Sequence, residues 1–176
     1  RWSETNMVSS FFCYPKINIE TIVSYSDIVY SKSHISSLMK AVGDIVILAD
    51  KNWLNLWSIR FNNPLSDAES FKTEGDILKE IGKTESKVEN IQAQYMGLLK
   101  FSPKGWLIAN EAFNSLSKKE QDKIDMTSFL SILIKKTSIK VVFISGGWCE
   151  VDSNNDVSTY ERCLKNNKNW THDWRN

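Results

Sequence analysis

The chain has 176 residues, and its 22 Lys and Arg against 21 Asp and Glu give a formal net charge of +1. This length suits one domain that buries roughly 70% of its unfolded surface without disulfides or metals. The charge balance speaks against a nucleic-acid binder, and no apolar run approaches the roughly 20 residues that cross a membrane. The three cysteines are widely spaced, which favours reduced thiols in a cytoplasmic protein over a disulfide framework or a zinc site.

The first third of the chain alternates strand and helix patterns. The β-branched and aromatic run Thr21–Tyr30 predicts a buried strand that ends near Asp27. A short helix capped by Ser33 follows, and the apolar run before Asp50 is typical of a central strand covered on both faces. Strand, helix and strand in this order indicate a right-handed crossover in a parallel sheet.

The remainder of the chain predicts a helical turn or two over 51–61, a hairpin, three strands and three helices. These elements are expected over 69–81 for the hairpin, 91–101, 139–144 and 148–152 for the strands, and 103–116, from about 125, and 153–164 for the helices. Gly97 interrupts its strand, which suggests a bulge or a close approach of another group to the backbone. The tail Lys165–Asn176 is polar and is expected to fray. The fold class is therefore α/β, with a mixed, mostly parallel sheet flanked by helices in one domain, 1–176.

Three carboxylates could carry chemistry, because they lie where α/β folds place ligands, at the carboxyl ends of strands. Asp27 stands among apolar strand residues, and Glu150 and Asp152 project from one face of a short strand. Two neighbouring negative charges favour a bound cation, and carboxylates without a His or Cys cluster suit Mg²⁺. The alternatives are a strand-end turn for Asp27 and, for the pair, an exposed strand edge with Asp152 capping the next helix.

Nucleophilic catalysis has little support in this sequence. It contains no G-x-S-x-G motif, and the histidines, His34 in a helix and His172 in the tail, are most simply surface residues. The chain also lacks any G-x-G arrangement of the kind that cradles phosphate groups.

Several segments resemble small bacterial nucleotidyltransferases, most closely the cytidylyltransferases for phosphonates, phosphoglutamine and phosphocholine. In chain order they are Ser24-Tyr-Ser-Asp-Ile-Val-Tyr30, Ala49-Asp-Lys-Asn-Trp53, Leu56-Trp-Ser-Ile-Arg-Phe61, Leu65-Ser-Asp-Ala-Glu69, Leu78-Lys-Glu-Ile-Gly-Lys83, Gln92-Ala-Gln-Tyr-Met-Gly-Leu98, Asp125-Met-Thr-Ser128 and Trp148-Cys-Glu-Val-Asp152. The match follows the order of the family over nearly the whole chain. It implies an Mg²⁺-dependent transfer of CMP from CTP to a small phosphonate or phosphate acceptor, with release of pyrophosphate.

The resemblance also implies roles for individual residues. Asp27 looks like the first magnesium-binding aspartate, Glu150 and Asp152 like the acidic pair that completes the metal site, and Lys83 like a catalytic lysine that approaches the acceptor. The residues that fall where such enzymes shape the acceptor pocket are Asp50, Trp53, Gln94, Tyr95 and Thr127. Trp53 could equally be a core ring, and Lys83 an ordinary surface charge.

One departure from the family is large. The family begins with a strand and a glycine-rich loop that holds the triphosphate, whereas Arg1–Val8 resembles the region just after that nucleotide-binding half. We therefore expect an N-terminally truncated, Rossmann-like nucleotidyltransferase fold, with an exposed strand edge that favours a homo-oligomer or a complementing N-terminal segment. The alternative is a non-catalytic module that binds a phosphorylated ligand or a partner chain.

Overall fold

A six-stranded sheet forms the centre of the computed structural model, which describes residue 1 and residues 3–175. Trp2 and Asn176, at the two ends of the predicted domain, lie outside the described residues. The strands are β1 Thr21–Ser24, β2 Ile28–Tyr30, β3 Ile45–Asp50, β4 Glu69–Glu74, β5 Ile77–Thr84, β6 Gln94–Phe101, β7 Ile139–Ile144 and β8 Trp148–Glu150. Their order in the sheet is β1-β6-β3-β7-β5-β4, while β2 and β8 form a separate two-stranded ribbon.

Seven α-helices of the described residues cover the sheet and its ends, in addition to the short 3₁₀ helices Pro64–Ser66 and Val88–Asn90. The α-helices are α1 Met7–Phe11, α2 Lys32–Lys40, α3 Trp53–Arg60, α4 Pro103–Asn114, α5 Lys118–Lys123, α6 Met126–Leu133 and α7 Asn154–Asn166. Polar side chains start them as the sequence suggests: Ser102 precedes Pro103 at α4, Asp125 caps α6, and Ser153 and Asp156 form a capping box at α7. The cap of α2 is Ser31 rather than Ser33.

The mixed sheet with flanking helices is confirmed, but the expectation that most strands are parallel is wrong. Among the strand pairs that the structure describes, β3 and β7 pair in parallel and the others are antiparallel. Strands β1 and β3 do run in the same direction, as the strand–helix–strand pattern indicates. However, β6 lies between them and runs in the opposite direction. Its residue Leu99 pairs with Val23 of β1 on one side and with Ile47 of β3 on the other. All six residues of β3 are buried, as expected for a central strand.

The predicted strand Thr21–Tyr30 is divided into β1 and β2. The first part ends where the Tyr25 amide donates to the Gly97 carbonyl at 2.9 Å. The chain bends at Ser26 and Asp27, and the Asp27 carbonyl then accepts from the Val151 amide at 2.8 Å. This bend takes the chain from the sheet to the ribbon that carries Glu150.

The C-terminal segment packs into the fold, so the expectation of a frayed tail is wrong. The side chain of His172 is fully buried, and its Nε2 lies 3.0 Å from Oδ2 of Asp50. Trp170 stacks on Tyr160 of α7, and the Thr171 carbonyl accepts from the Gly147 amide at 2.8 Å. The sequence did not predict this packing because most residues of the segment are polar, whereas the contacts are made by Trp170 and His172.

His34 is also buried, at 7% exposure, so neither histidine is the surface residue that the sequence suggested. The His34 ring packs against Gly147, the Thr171 carbonyl of the C-terminal segment packs against Gly146, and burial lowers the pKa of the His34 imidazole. The turn at Gly146 and Gly147, which precedes β8, is therefore enclosed from two sides.

None of the helices in the described part of the chain combines the length and apolar character that crossing a membrane requires.

Candidate functional site

A pocket of about 260 Å³ opens beside β6 and β8, and carboxylates dominate its lining. Five of its residues are acidic: Asp67, Glu69, Asp125, Glu150 and Asp152. The others are Met7, Tyr25, Trp57, Gln94, Tyr95, Gly97, Met126 and Thr127. We call this site the acid-lined pocket. It contains five of the residues named from the sequence, namely Gln94, Tyr95, Thr127, Glu150 and Asp152.

One wall of the acid-lined pocket is organised by Arg60, the last residue of α3. Its guanidinium donates to Oε2 of Glu150 at 2.9 Å and to Oδ2 of Asp152, and its Nε lies 3.4 Å from Oδ1 of Asp156. The Arg60 side chain is only 1% exposed. The cation that the sequence placed between Glu150 and Asp152 is therefore supplied by the chain itself.

The surroundings of Glu150 act on its carboxyl group in opposite directions. Burial raises its pKa most, the hydrogen bond and charge of Arg60 lower it, and the nearby charges of Asp152 and Asp27 raise it further, with a raised pKa as the outcome. Without the guanidinium the repulsion between the carboxylates would be uncompensated. Arg60 thus opposes the effect of burial on the pKa of Glu150.

The opposite wall is built from α3, β4 and the start of α6. The Trp57 indole donates to Oδ2 of Asp67 at 2.9 Å, and the Thr127 hydroxyl lies 3.3 Å from Oε1 of Glu69 and 3.0 Å from Oδ1 of Asp125. Burial raises the pKa of Glu69, and the charges of Asp125 and Asp67 raise it too, although the Thr127 hydroxyl opposes the shift. A bound cation would relieve this repulsion.

Tyr25 and Gly97 close the floor of the pocket. Gly97 adopts a φ of +79°, and a Cβ at this position would lie 2.7 Å from ring atoms of Tyr25. The bulge or close approach expected at this strand glycine is confirmed, because the pairing of β3 with β6 shifts register between Ile47 and Ala49. Tyr25 also packs edge-on against Tyr95 at 5.9 Å between ring centroids.

Asp27 lies in an adjoining cavity of about 280 Å³ rather than in the acid-lined pocket. The two cavities share Met7, Tyr25 and Met126. Asp27 is exposed, and its charge is close enough to affect the pKa of Glu150. The bend before β2 therefore brings Asp27 to the same end of the molecule as the acidic pair, but at its edge.

The predicted three-carboxylate magnesium site is not assembled in this arrangement. Within residue 1 and residues 3–175, no three acidic, imidazole or thiol groups cluster in a way that could hold a metal ion. Glu150 and Asp152 each give one oxygen to Arg60. A magnesium ion shared by Asp27, Glu150 and Asp152 therefore stays a prediction from the family resemblance.

Two residues assigned to the acceptor pocket lie in the core instead. Asp50 is fully buried, because β3 ends inside the fold and its carboxylate accepts hydrogen bonds from surrounding donors. Trp53 is 3% exposed and packs edge-on against Trp57. It is therefore a core ring, which was the alternative interpretation. Neither residue lines the acid-lined pocket.

Lys83 lies on β5 with its side chain 66% exposed and paired with Glu80. Its backbone is close to the pocket, because the neighbouring Gly82 approaches Thr127. Its ammonium group does not line the acid-lined pocket. The structure therefore separates Lys83 from the acids with which the resemblance associates it.

Three charged residues of the site were missed in the sequence: Asp67 and Glu69, which line the pocket, and Arg60, which lies behind Glu150 and Asp152. All three lie inside segments that carry the family resemblance. The available signals were an arginine at the end of a helix with two tryptophans, one acid just before a strand and one at its first residue. Neither pattern shows which charges meet, because Arg60 and Glu150 are 90 residues apart in the chain.

Known proteins resemble this chain in both sequence and fold. It is 38% identical over 172 residues to a CTP:phosphoglutamine cytidylyltransferase of Campylobacter jejuni, covering 89% of this chain and 68% of that protein. No established family model matches the chain.

Two solved structures share the fold. The inositol-1-phosphate CTP transferase of T. maritima superposes with a TM-score of 0.70 at 18% identity, over 94% of this chain and 64% of its own. A putative glucose-1-phosphate thymidylyltransferase of Bacillus anthracis, in complex with a sucrose, gives a TM-score of 0.62 at 10% identity, over 91% of this chain and 58% of its own. The chain thus spans 58% to 68% of the length of these proteins, and by its sequence it belongs to the family of the CTP:phosphoglutamine cytidylyltransferase.

Proposed function

We propose that the chain is part of a cytidylyltransferase that transfers CMP from CTP to a small acceptor carrying a phosphate or phosphonate at one end and an ammonium group at the other. The observation that supports this best is the acid-lined pocket in a chain of this family. Family membership suggests the reaction, and the charge of the pocket suggests the acceptor.

The ammonium group follows from the balance of charge in the pocket. Five carboxylates line it, and Arg60 compensates for part of that charge from behind Glu150 and Asp152. An ammonium would be attracted to the remaining acids and to the faces of Tyr25 and Trp57. The relative's name gives phosphoglutamine as its acceptor, and glutamine carries an α-ammonium group of this kind.

The anionic end of the acceptor would be repelled by the same carboxylates and would point out of the pocket. In the proposed reaction an oxygen of this group attacks the α-phosphorus of CTP. A new oxygen–phosphorus bond forms as the bond to the bridging oxygen breaks, and pyrophosphate leaves with that electron pair. The contribution of the acid-lined pocket is to orient the acceptor, and positioning of this kind supplies much of the rate in such transfers.

A pyrophosphate-release assay of the full-length protein tests this proposal. Each nucleoside triphosphate is offered with phosphoglutamine, 2-aminoethylphosphonate, phosphocholine and phosphoethanolamine, and with ethyl phosphate as the acceptor that lacks an ammonium. We expect turnover with CTP and at least one of the ammonium-bearing acceptors, and little with ethyl phosphate. Equal rates with ethyl phosphate would contradict the proposed acceptor, and a lack of turnover with every pair would contradict the reaction.

Replacing Glu69 with glutamine should weaken selection of the ammonium group. The change keeps the side-chain shape and the Thr127 contact but removes one half-buried charge. A hydrogen bond to a charged group contributes about 1.5–3 kcal/mol, so kcat/KM for the best ammonium-bearing acceptor should fall about 10- to 150-fold.

The control for this variant is Glu74→Gln at the exposed end of β4, which should leave kcat/KM unchanged. Ethyl phosphate should be affected less than threefold by Glu69→Gln. An equal loss for both acceptors would mean that Glu69 supports the fold rather than the choice of acceptor.

The role of Asp27 and of Mg²⁺ stays a prediction from the family resemblance, and no step above depends on a metal ion. Asp27 is exposed and, within the described residues, forms no ion pair, so Asp27→Asn should leave the melting temperature within a few degrees of the wild type. We expect kcat to fall about 10²- to 10³-fold, the size of a lost electrostatic contact in a transition state.

The control for Asp27→Asn is Asp76→Asn, at the exposed β4–β5 turn. Excess EDTA should stop the wild-type reaction, and added Mg²⁺ should restore it. Full activity in EDTA would remove the metal from the mechanism, and full activity of Asp27→Asn would remove Asp27.

A further inference from the structure

Helix α3 carries two side chains that hold acids of the acid-lined pocket, Trp57 and Arg60, three residues apart on the same helix. Trp57 donates to Asp67 on one wall of the pocket. Arg60 donates to Glu150 and Asp152 on the other. The spacing of three residues puts both on one face of the helix, so one element holds acids on two walls.

The guanidinium of Arg60 is fixed from all sides. Each of its nitrogens contacts a different carboxylate, those of Glu150, Asp152 and Asp156. The rings of Trp57 and Phe61 lie 5.5 and 5.0 Å from its central carbon. A planar guanidinium held by aromatic rings and several acceptors has little freedom, and lysine cannot reproduce that geometry.

The third acid, Asp156, ties this arrangement to α7. Its Oδ2 accepts from the Asp152 amide at 3.1 Å and from the Ser153 amide and hydroxyl at 2.9 Å. The Tyr160 hydroxyl of the same helix donates to the Glu150 carbonyl at 2.7 Å. The backbone that carries Glu150 and Asp152 is therefore attached to α7, while their carboxylates are attached to α3.

Each member of the acidic pair keeps one oxygen free of this network. Arg60 uses Oε2 of Glu150 and Oδ2 of Asp152, and within the described part of the chain Oε1 and Oδ1 have no hydrogen-bond partner. Both residues line the acid-lined pocket. These two oxygens are therefore available to accept a hydrogen bond from a ligand.

We propose that Arg60 is a positioning residue of the acid-lined pocket, which fixes the carboxylates of Glu150 and Asp152 so that one oxygen of each serves the acceptor. This assignment rests on the proposed function. Arg60 acts through the two acids and does not itself touch the acceptor, since its side chain is behind them and 1% exposed. Misplacing a catalytic arrangement by about 1 Å can cost about 10²-fold in rate.

The test compares Arg60→Met, which keeps the apolar stem, with Arg60→Lys, which keeps the charge but not the fork. Arg162→Met at an exposed position of α7 is the matched control. All assays are run at least 15 °C below the melting temperature of each variant. We expect about a 100-fold lower kcat for Arg60→Met at an unchanged KM for CTP, and recovery of at least tenfold in Arg60→Lys.

Crystal structures of the wild type and of both Arg60 variants provide a second measurement that needs no turnover. We expect the carboxylates of Glu150 and Asp152 to move apart by more than 1 Å in Arg60→Met and by less in Arg60→Lys. Unmoved carboxylates would overturn the positioning role even if activity were lost, and so would an unchanged kcat per folded molecule. If the wild type shows no transfer, the proposed function fails and this inference with it. If transfer occurs but Arg60→Met is as active as the wild type, only the inference fails.

Discussion

Replacing Asp50 with asparagine should lower the free energy of unfolding by about 1–3 kcal/mol, the usual cost of leaving a buried hydrogen-bonding group without its partner. The carboxylate is fully buried and accepts four hydrogen bonds. Its Oδ1 accepts from the Asn52 and Gly146 amides, and its Oδ2 accepts from the Trp148 indole and lies 3.0 Å from His172 Nε2. An asparagine amide would turn an NH₂ group toward one of these donor pairs.

Urea titration of the wild type and of Asp50→Asn measures this loss of unfolding free energy. Asp76→Asn is the control, because Asp76 is exposed and ion-paired. The control should lose less than about 1 kcal/mol. A loss below 1 kcal/mol for Asp50→Asn would show that His172 and the C-terminal segment contribute little to stability.

The dependence of this effect on pH follows from the carboxyl group itself. Burial alone would raise the pKa of Asp50, but hydrogen bonds from His172, Gly146, Trp148 and Asn52 lower it below its ordinary value. A group with a lowered pKa in the folded state stabilises the fold above its unfolded pKa, about 3.9, and that stability is lost as the pH falls through the folded value. The Asp50 carboxylate should therefore make a constant contribution, from pH 8 to pH 5, to the difference in unfolding free energy between the wild type and Asp50→Asn.

Gly97→Ala should destabilise the protein by about 2–5 kcal/mol and disturb the acid-lined pocket. A left-handed conformation costs a residue with a Cβ about 1–2 kcal/mol, and forcing an atom into a packed contact costs about 1–3 kcal/mol more. The added Cβ would lie 2.7 Å from the Tyr25 ring, which lines both cavities. We expect kcat/KM for the acceptor to fall along with stability.

Gly75→Ala provides the matched comparison, because Gly75 has a φ of +60° but open space around its Cβ position. This variant should lose only the conformational part, about 1–2 kcal/mol, and keep full activity. If both variants lost the same stability, the contact between Gly97 and Tyr25 would carry no energetic weight.

Local sequence patterns predicted the elements well, because the forces that form them act over a few residues. The run before Asp50 is a buried central strand, the β4–β5 hairpin turns at Gly75, and Ser153 with Asp156 starts the last helix. Strand direction was predicted less well, since β6 enters between β1 and β3 from 40 or more residues downstream. Only the assembled sheet shows such an insertion.

The residues of the site were likewise predicted in part, where local segments carried the signal, and missed where distant segments meet. Glu150, Asp152, Gln94, Tyr95 and Thr127 were found from segments that resemble the family, and they line one pocket. The family resemblance placed Asp50 in the acceptor pocket, yet Asp50 is buried and its partner His172 lies 122 residues away. Arg60 was overlooked because a charge at a helix end usually faces water, and its three carboxylate partners all come from the last quarter of the chain.

The contact between Asp50 and His172 has a consequence for synthesis on the ribosome. The central strand is translated early, but its terminal carboxylate acquires a full set of partners only after Thr171 and His172 have left the exit tunnel. Until then a dehydrated negative charge would sit in the sheet with an incomplete shell of donors, which favours an open, chaperone-accessible state. Final consolidation of the sheet therefore waits for the segment that carries His172, and nascent chains stalled before position 171 should remain sensitive to protease.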